Sequence, residues 1–226
     1  MDKFDYVIVG AGSAGCVLAN RLSEDPANTV LLLEAGKHED HPFIRMPKGV
    51  VKVMSDPAFT WGYRTDAAPG TNNAPEAWAR GKTLGGSSAV NGMMYVRGQK
   101  ADFDELESLT SPDWSWDRIG EAYAALEAHE LGTGPTRGAH GALHISMPPM
   151  RSALTDAAIE AGVSLGLEAV GDVNAPHADQ RIGYAPQTIL SATTSITTVR
   201  FGRWRIGFRK ATAALCRLPR KMVCGA

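Results

Sequence analysis

A glycine turn set between two short apolar runs constrains this chain more than any other feature. Tyr6-Val7-Ile8-Val9 leads directly into Gly10-Ala11-Gly12-Ser13-Ala14-Gly15, and Val30-Leu31-Leu32-Leu33 ends in Glu34, 24 residues beyond Gly10. A strand, a glycine turn, a helix and a second strand closed by an acid make a dinucleotide-binding βαβ unit. Gly10 permits the tight turn, Gly12 lets main chain approach a diphosphate, and Gly15 lets the helix pack closely on the sheet. The diphosphate then meets the helix N-terminus, where free amides and the helix dipole favour negative charge, and the small Ser13 and Ala14 leave that approach open. Asp25-Pro26 stops the helix. A carboxylate at Glu34 can accept hydrogen bonds from a ribose diol, which favours an adenosine with a free 2′-hydroxyl. The unit by itself does not separate FAD from NAD.

Residues 81–98 form a second small-residue stretch, Gly81-Lys82-Thr83-Leu84-Gly85-Gly86-Ser87-Ser88-Ala89-Val90-Asn91-Gly92-Met93-Met94-Tyr95-Val96-Arg97-Gly98. Adjacent small side chains let main-chain amides face a ligand, and the Ser hydroxyls and Asn91 amide add neutral hydrogen-bonding groups. Leu84, Val90 and Tyr95 interleave with them too regularly for a flexible linker. Here the chain resembles the glucose-methanol-choline (GMC) oxidoreductase family, whose first signature it matches from Gly81 through Leu84, Gly85-Gly86, Ser87-Ser88, Val90, Asn91, Tyr95, Gly98 and Asp104. The likeness continues through Trp61-Gly62-Tyr63-Arg64-Thr65, Asp102-Phe103-Asp104, Trp114-Ser115-Trp116, Glu127 as the acid ending a helix, His140-Gly141-Ala142-Leu143, Asp172-Val173-Asn174 and Ile182-Gly183-Tyr184, to about Thr188.

The resemblance implies an α/β fold, a Rossmann-like FAD-binding βαβ unit with the beginning of a substrate domain, truncated. It makes Gly85, Gly86, Ser88, Asn91, Gly92, Met93 and Met94 FAD contacts beside Gly10, Gly12, Ser13, Ala14, Gly15 and Glu34. Some family members attach FAD through a His just before the signature Asn; Val90 stands there in this chain, so non-covalent FAD is expected. The implied reaction is oxidation of a small-molecule alcohol: a His takes the hydroxyl proton while hydride leaves the carbon for the flavin, which carries the redox chemistry. In the family that His and its His or Asn partner lie near the carboxyl end, as does a second signature, and neither is found here. None of the six histidines, His38, His41, His129, His140, His144 and His177, matches the pair. No catalytic residue is assigned, and the chain is expected to be an inactive amino-terminal fragment. In the family the first strand is central to its sheet, so unpaired edges are expected.

Composition changes after position 190. Of 23 basic residues eight fall beyond it, and none of the 24 acids does. The family's Gly-x-Arg-x-Ser segment is missing there, and the arginine-rich, acid-free sequence is that expected of out-of-frame translation. Reading the other two frames downstream of codon 190 tests this, because the second signature must appear in one of them. Three other readings stay open. The missing carboxyl-terminal half could be a second polypeptide completing a split enzyme. The chain could be a nicotinamide-binding module. Phe201, Trp204, Phe208, Ala211 and Leu215 could form a basic amphipathic helix on anionic lipid or nucleic acid.

Three domains follow: 1–100 as the FAD-binding portion, 101–190 as the start of the substrate region, and 191–226 as a tail unlike the family. With the first strand beginning almost at the first residue and no apolar run near the roughly 20 residues needed to span a bilayer, a cytoplasmic chain with no membrane span and no nucleic-acid partner is expected. The three cysteines suggest no disulfide framework, and no metal-ligand spacing is present. Elsewhere a helical region is expected over 101–131, with Trp116, Ile119, Ala122, Tyr123 and Leu126 as core contacts. A short strand is expected over 143–146. A helix over 153–165 should bury Leu154, Ala157, Ala158, Ala161 and Leu165 and be capped by Gly166.

Overall fold

In the computed structural model, residues 3–36, 41–149, 151–175 and 180–191 and the tail segments 194–195, 216–218 and 222–225 are described. By contacts the chain divides into two compact units, Met1–Gly92 with Ser191–Ala226, and Met93–Leu190.

The first unit opens with β1 (Tyr6–Val9), α1 (Ser13–Leu22) and β2 (Val30–Leu33). The strands are parallel and in register from Tyr6 opposite Val30 to Val9 opposite Leu33, as a βαβ crossover requires. Ala11, Ala19, Val30 and Leu32 are buried between helix and strands, with Ile8, Cys16, Leu22 and Leu84 packed against them. Fully burying one such aliphatic side chain stabilises by about 1.5–3 kcal/mol, so this small cluster is the main apolar support of the crossover. A second cluster forms around the short helices α2 (Pro42–Arg45) and α3 (Val50–Met54), where Ile44, Val53, Phe59 and Val90 are buried. The strands β3 (Tyr63–Arg64) and β4 (Ala77–Trp78) pair antiparallel, and the rings of Trp61 and Tyr63 stack.

The second unit contains α4 (Lys100–Leu109), α5 (Trp116–Leu126), β5 (Glu127–His129), β6 (Leu143–Ile145), α6 (Ala153–Ser164), β7 (Glu168–Val170) and β8 (Arg181–Gly183). β5 pairs parallel with β6, and β7 with β8. The expected helical region over 101–131 is therefore corrected. It is two helices broken near Pro112, and at Glu127 the chain turns extended, because that carboxylate is taken up by buried donors. In α5, Trp116, Ile119, Tyr123 and Leu126 are half-buried but Ala122 is exposed.

The expected buried face of α6 is also corrected. Leu154 and Leu165 are 82% and 85% exposed, and Ala157, Ala158 and Ala161 face solvent as well. The helix instead turns Ile159 and Gly162 inward, with Gly162 against Ile182 and Leu167, and Asp156 accepts a hydrogen bond from the Tyr184 hydroxyl. Side-chain volume at Gly162, rather than apolar periodicity, decides which face can lie close to β8. Gly166 takes a φ of +95°, as its capping position requires.

Toward the carboxyl end lie β9 (Ile189–Ser191), β10 (Thr194–Ser195), β11 (Cys216–Leu218) and β12 (Met222–Gly225). The sheet of the first unit runs β1-β2-β12-β11, with β12 parallel to β2. Among the described strands β1 pairs with β2 alone, so the strand that is central in the family keeps an unpaired edge here, as expected. The amphipathic-helix reading of 201–215, and His38 and His177, lie outside the described residues. Among the described residues no helix is long and apolar enough to cross a membrane.

Candidate functional site

Within the first unit one peptide unit ties the three expected binding segments together. The Ala11 amide donates to Glu34 Oε2 at 2.8 Å, and the Ala11 carbonyl accepts from the Gly85 amide at 2.8 Å. Ala11 is fully buried, and Gly12 and Gly85 form a parallel bridge beside it. The glycine turn, the acid closing β2 and the second small-residue stretch, distant in sequence, are therefore adjacent.

Close approach explains two of the glycines. A Cβ on Gly15 would lie 1.9 Å from the Gly10 carbonyl oxygen, so any side chain there pushes α1 off β1. A Cβ on Gly86 would lie 2.8 Å from Gly12 Cα, and Gly86 also has a φ of +58°, where a side chain is strained. Gly12 differs. Among the described residues a Cβ on it would meet only Gly86 Cα, at 4.0 Å, so none of their atoms fills the room above Gly12.

Gly12 is the N-cap of α1 and makes no side-chain cap, and no acid lies in the first turn. The amides of Ser13, Ala14 and Gly15 therefore start the helix without intrahelical acceptors, while Ser13 and Ala14 are exposed. On the neighbouring loop Ser88 Oγ donates to the Gly85 carbonyl at 2.7 Å and Ser87 Oγ accepts from the Gly81 amide at 3.0 Å. The hydroxyl of Ser88 thus shapes the turn, and Asn91 and Gly92 are exposed at its end. The donor set fits a dinucleotide: main-chain amides at a helix start, open space over a glycine, and one carboxylate.

Glu34 does more than its position in the sequence suggested. Oε2 accepts from Ala11 and Oε1 from the Gly36 amide, both at 2.8 Å, so both oxygens already hold main chain. Each keeps another lone pair for a ribose hydroxyl. Glu34→Gln places a donating NH2 against one of these amides. It is expected to destabilise the chain by about 1–3 kcal/mol, read as a fall in the urea midpoint; an unchanged midpoint would mean that the carboxylate does not hold the turn.

Met93 and Met94, the remaining expected contacts, belong to the second unit. Met93 has a φ of +63°, uncommon for a residue with a side chain, and its carbonyl accepts from the Thr188 amide at 2.9 Å. Met94 is exposed and bridges Gln187. The segment that follows is held by a buried ionic centre that the sequence did not reveal. Tyr95 Oη donates to Glu127 Oε1 at 2.6 Å, and the Arg97 guanidinium donates to the same oxygen through Nε and Nη2. The Gly138 amide donates to Oε2 at 3.2 Å. Arg97 also donates to the Thr136 carbonyl and lies over the Tyr123 ring, and Asn174 bridges the Arg97 amide and the Tyr95 carbonyl. Glu127 is completely buried. Burial, then the hydrogen bond to Glu127 and its charge, push the Tyr95 phenol well above its ordinary value. A signal was present in retrospect: Tyr95 and Arg97 alternate on one extended segment, and Glu127 ends an apolar helix.

The family profile for GMC oxidoreductase matches residues 4–188. The chain belongs to the GMC oxidoreductase family. An oxygen-dependent choline dehydrogenase of Sinorhizobium medicae is 43% identical over 170 residues, 75% of this chain and 31% of that protein. An alcohol dehydrogenase [acceptor] of Pseudomonas putida is 38% identical over 175 residues, 77% of this chain and 32% of that one. The chain thus spans about a third of the length of these curated relatives. Among solved structures, pyridoxine 4-oxidase from Mesorbium loti matches with a TM-score of 0.78 and 32% identity, over 99% of this chain and 47% of that one. An FAD-dependent oxidoreductase from Chaetomium thermophilum matches at 0.72 and 25%, over 96% and 42%. Within this GMC chain, no group of described His, Cys, Asp or Glu residues could hold a metal ion.

Proposed function

We propose that this chain carries the part of an FAD-dependent oxidoreductase that grips the adenosine diphosphate end of the cofactor, in an enzyme acting on the CH–OH group of a small alcohol. The observation that carries the reading is the Ala11 peptide, bonded at once to Glu34 and Gly85 beside the open space over Gly12. Bound FAD supplies the hydride acceptor. The chain's own residues do the holding: the amides of Ser13, Ala14 and Gly15 meet the diphosphate, Glu34 takes ribose hydroxyls, and Gly85 and Gly86 let the second loop lie close. Gly10 forms the turn, Ser88 fixes the shape of that loop, and Asn91 and Gly92 contact the flavin portion. With Val90 before Asn91, FAD is held without a covalent link.

The chain alone does not oxidise alcohol, because it contains no residue matching the family's proton-abstracting pair. A complementary segment, carried on this polypeptide or on a second one, supplies it. The edge of β1 supports this second part of the reading. Tyr6 donates to the Thr29 carbonyl just before β2 and Gly10 to the Leu33 carbonyl, which in a parallel pair turns the Val7 and Val9 amides to the other side. Those residues are 56% and 83% exposed, and no described strand pairs there.

Titration of the purified chain with FAD, NAD, ADP and adenosine 2′,5′-diphosphate tests the first part. Weak FAD binding is expected, displaced by ADP, with the 2′-phosphate binding at least about tenfold less tightly because it meets Glu34. Tighter binding of NAD than of FAD would sink the flavin assignment in favour of a nicotinamide module. Alcohol-dependent bleaching of flavin by the chain alone would sink the second part; activity restored by co-expressing the complementary half supports it.

A further inference from the structure

The buried histidine of the second unit is not used by the proposed function, and its surroundings point to a task of their own. His129 ends β5 with its side chain only 2% exposed. Its Nδ1 accepts the Leu131 amide at 3.2 Å, which leaves the ring proton on Nε2. That Nε2 makes no hydrogen bond and lies 3.5 Å from Asp172 Oδ2. The same carboxylate oxygen takes Arg137 Nη1 at 3.4 Å. Arg137 Nε in turn donates to the Gly132 carbonyl, and the Gly132 amide donates to the His129 carbonyl. The loop that leaves β5 is therefore closed on His129 at one end and on Asp172, through Arg137, at the other.

We propose that His129 is an acid-sensitive latch on the 130–137 loop. Protonation can occur only at Nδ1, where it removes the acceptor of the Leu131 amide and sets two donors against each other. The resulting imidazolium draws Asp172 Oδ2 toward Nε2 and away from Arg137. Both contacts that close the loop weaken in one event, while the Arg97 bond to Thr136 holds its tip.

Charged neighbours set how readily this happens. Burial pushes the imidazole below its ordinary pKa; Asp172 opposes that, Arg137 adds to it, and Glu127 and Glu130 oppose it. His144 of β6 pairs with Ala128 in register, which puts it on the opposite face of the ribbon from His129. Because the closed loop binds the proton less well than the open one, closure is fully supported above the ordinary histidine value of about 6.5. It weakens as pH falls from there toward the lower folded value.

Amide hydrogen exchange of the unchanged chain, expressed as protection factors from pH 7.5 downward, tests the latch. The opening constant at Leu131 and Gly132 is expected to rise below pH 6.5, approaching about tenfold per pH unit as one proton is taken up. In His129→Asn, where the side-chain oxygen replaces Nδ1 as acceptor and does not titrate, protection should be flat over the same range. The proposal is overturned if protection at Leu131 stays constant until far-UV circular dichroism shows global unfolding, or if His129→Asn loses it at the same pH. Should that variant fail to fold, the imidazole resonances of the unchanged chain decide. Titration of His129 in step with the Leu131 amide supports the latch, and titration without it overturns the latch.

Discussion

Glu127→Ala is expected to lower the unfolding free energy by about 3–5 kcal/mol, the cost of stranding a buried charge. Against the roughly 5–15 kcal/mol that holds a typical domain, that is a third or more of the whole for a domain near the middle of the range. The physical reason is the environment of Arg97. Its guanidinium is buried with Glu127 as its acidic partner, and Tyr95 and the Gly138 amide also lose an acceptor. Urea unfolding followed by tryptophan fluorescence measures the loss. The double change Arg97→Met with Glu127→Leu should recover much of it, since a buried pair contributes little net stability over an apolar pair of like volume. A loss under about 1 kcal/mol in the single variant would mean that Arg97 finds water. In Glu127→Gln the Tyr95 phenol should ionise at lower pH than in the unchanged chain, visible as phenolate absorbance, because one of the groups holding it up is gone. The raised phenol contributes stability that is present below pH about 10 and is lost as pH rises toward the folded value.

Gly15→Ala should be nearly as severe, and its contrast with Gly12→Ala separates folding from binding. The added methyl at position 15 would sit 1.9 Å from the Gly10 carbonyl oxygen and 3.3 Å from Ile8 Cγ2, so α1 must move away from β1. A cost of about 3 kcal/mol is expected, at the upper end for overpacking. At Gly12 the methyl meets only ordinary van der Waals contact and the φ of −76° suits alanine. Gly12→Ala should therefore leave the unfolding free energy in urea within about 0.5 kcal/mol of the parent, yet weaken ADP binding by occupying the open space. Equal losses of stability in both variants would remove the case for Gly12 as a ligand-facing position.

The two variants also mark how far local sequence reaches. A turn of six residues between two apolar runs is written in neighbouring positions, and its steric consequences at Gly15 follow from the chain's own path out of β1. Residues 81–98 were legible as a second small-residue stretch through their resemblance to GMC proteins. Their adjacency to Gly12, however, rests on a hydrogen bond between residues 11 and 85 that no local pattern encodes. The same is true of Glu34, whose two oxygens are occupied by amides from different segments.

The sequence by itself determined the βαβ unit and the glycine turn, because each is a matter of residue type at short spacing. Only the tertiary structure decided that α6 turns Gly162 rather than its leucines inward, that the helical run stops at Glu127, and that one carboxylate gathers Tyr95, Arg97 and Gly138. Those outcomes depend on desolvation. A charged or small residue is worth burying only when partners remote in sequence arrive with the complementary proton, charge or volume, and that arrival is settled by the packing of the whole unit.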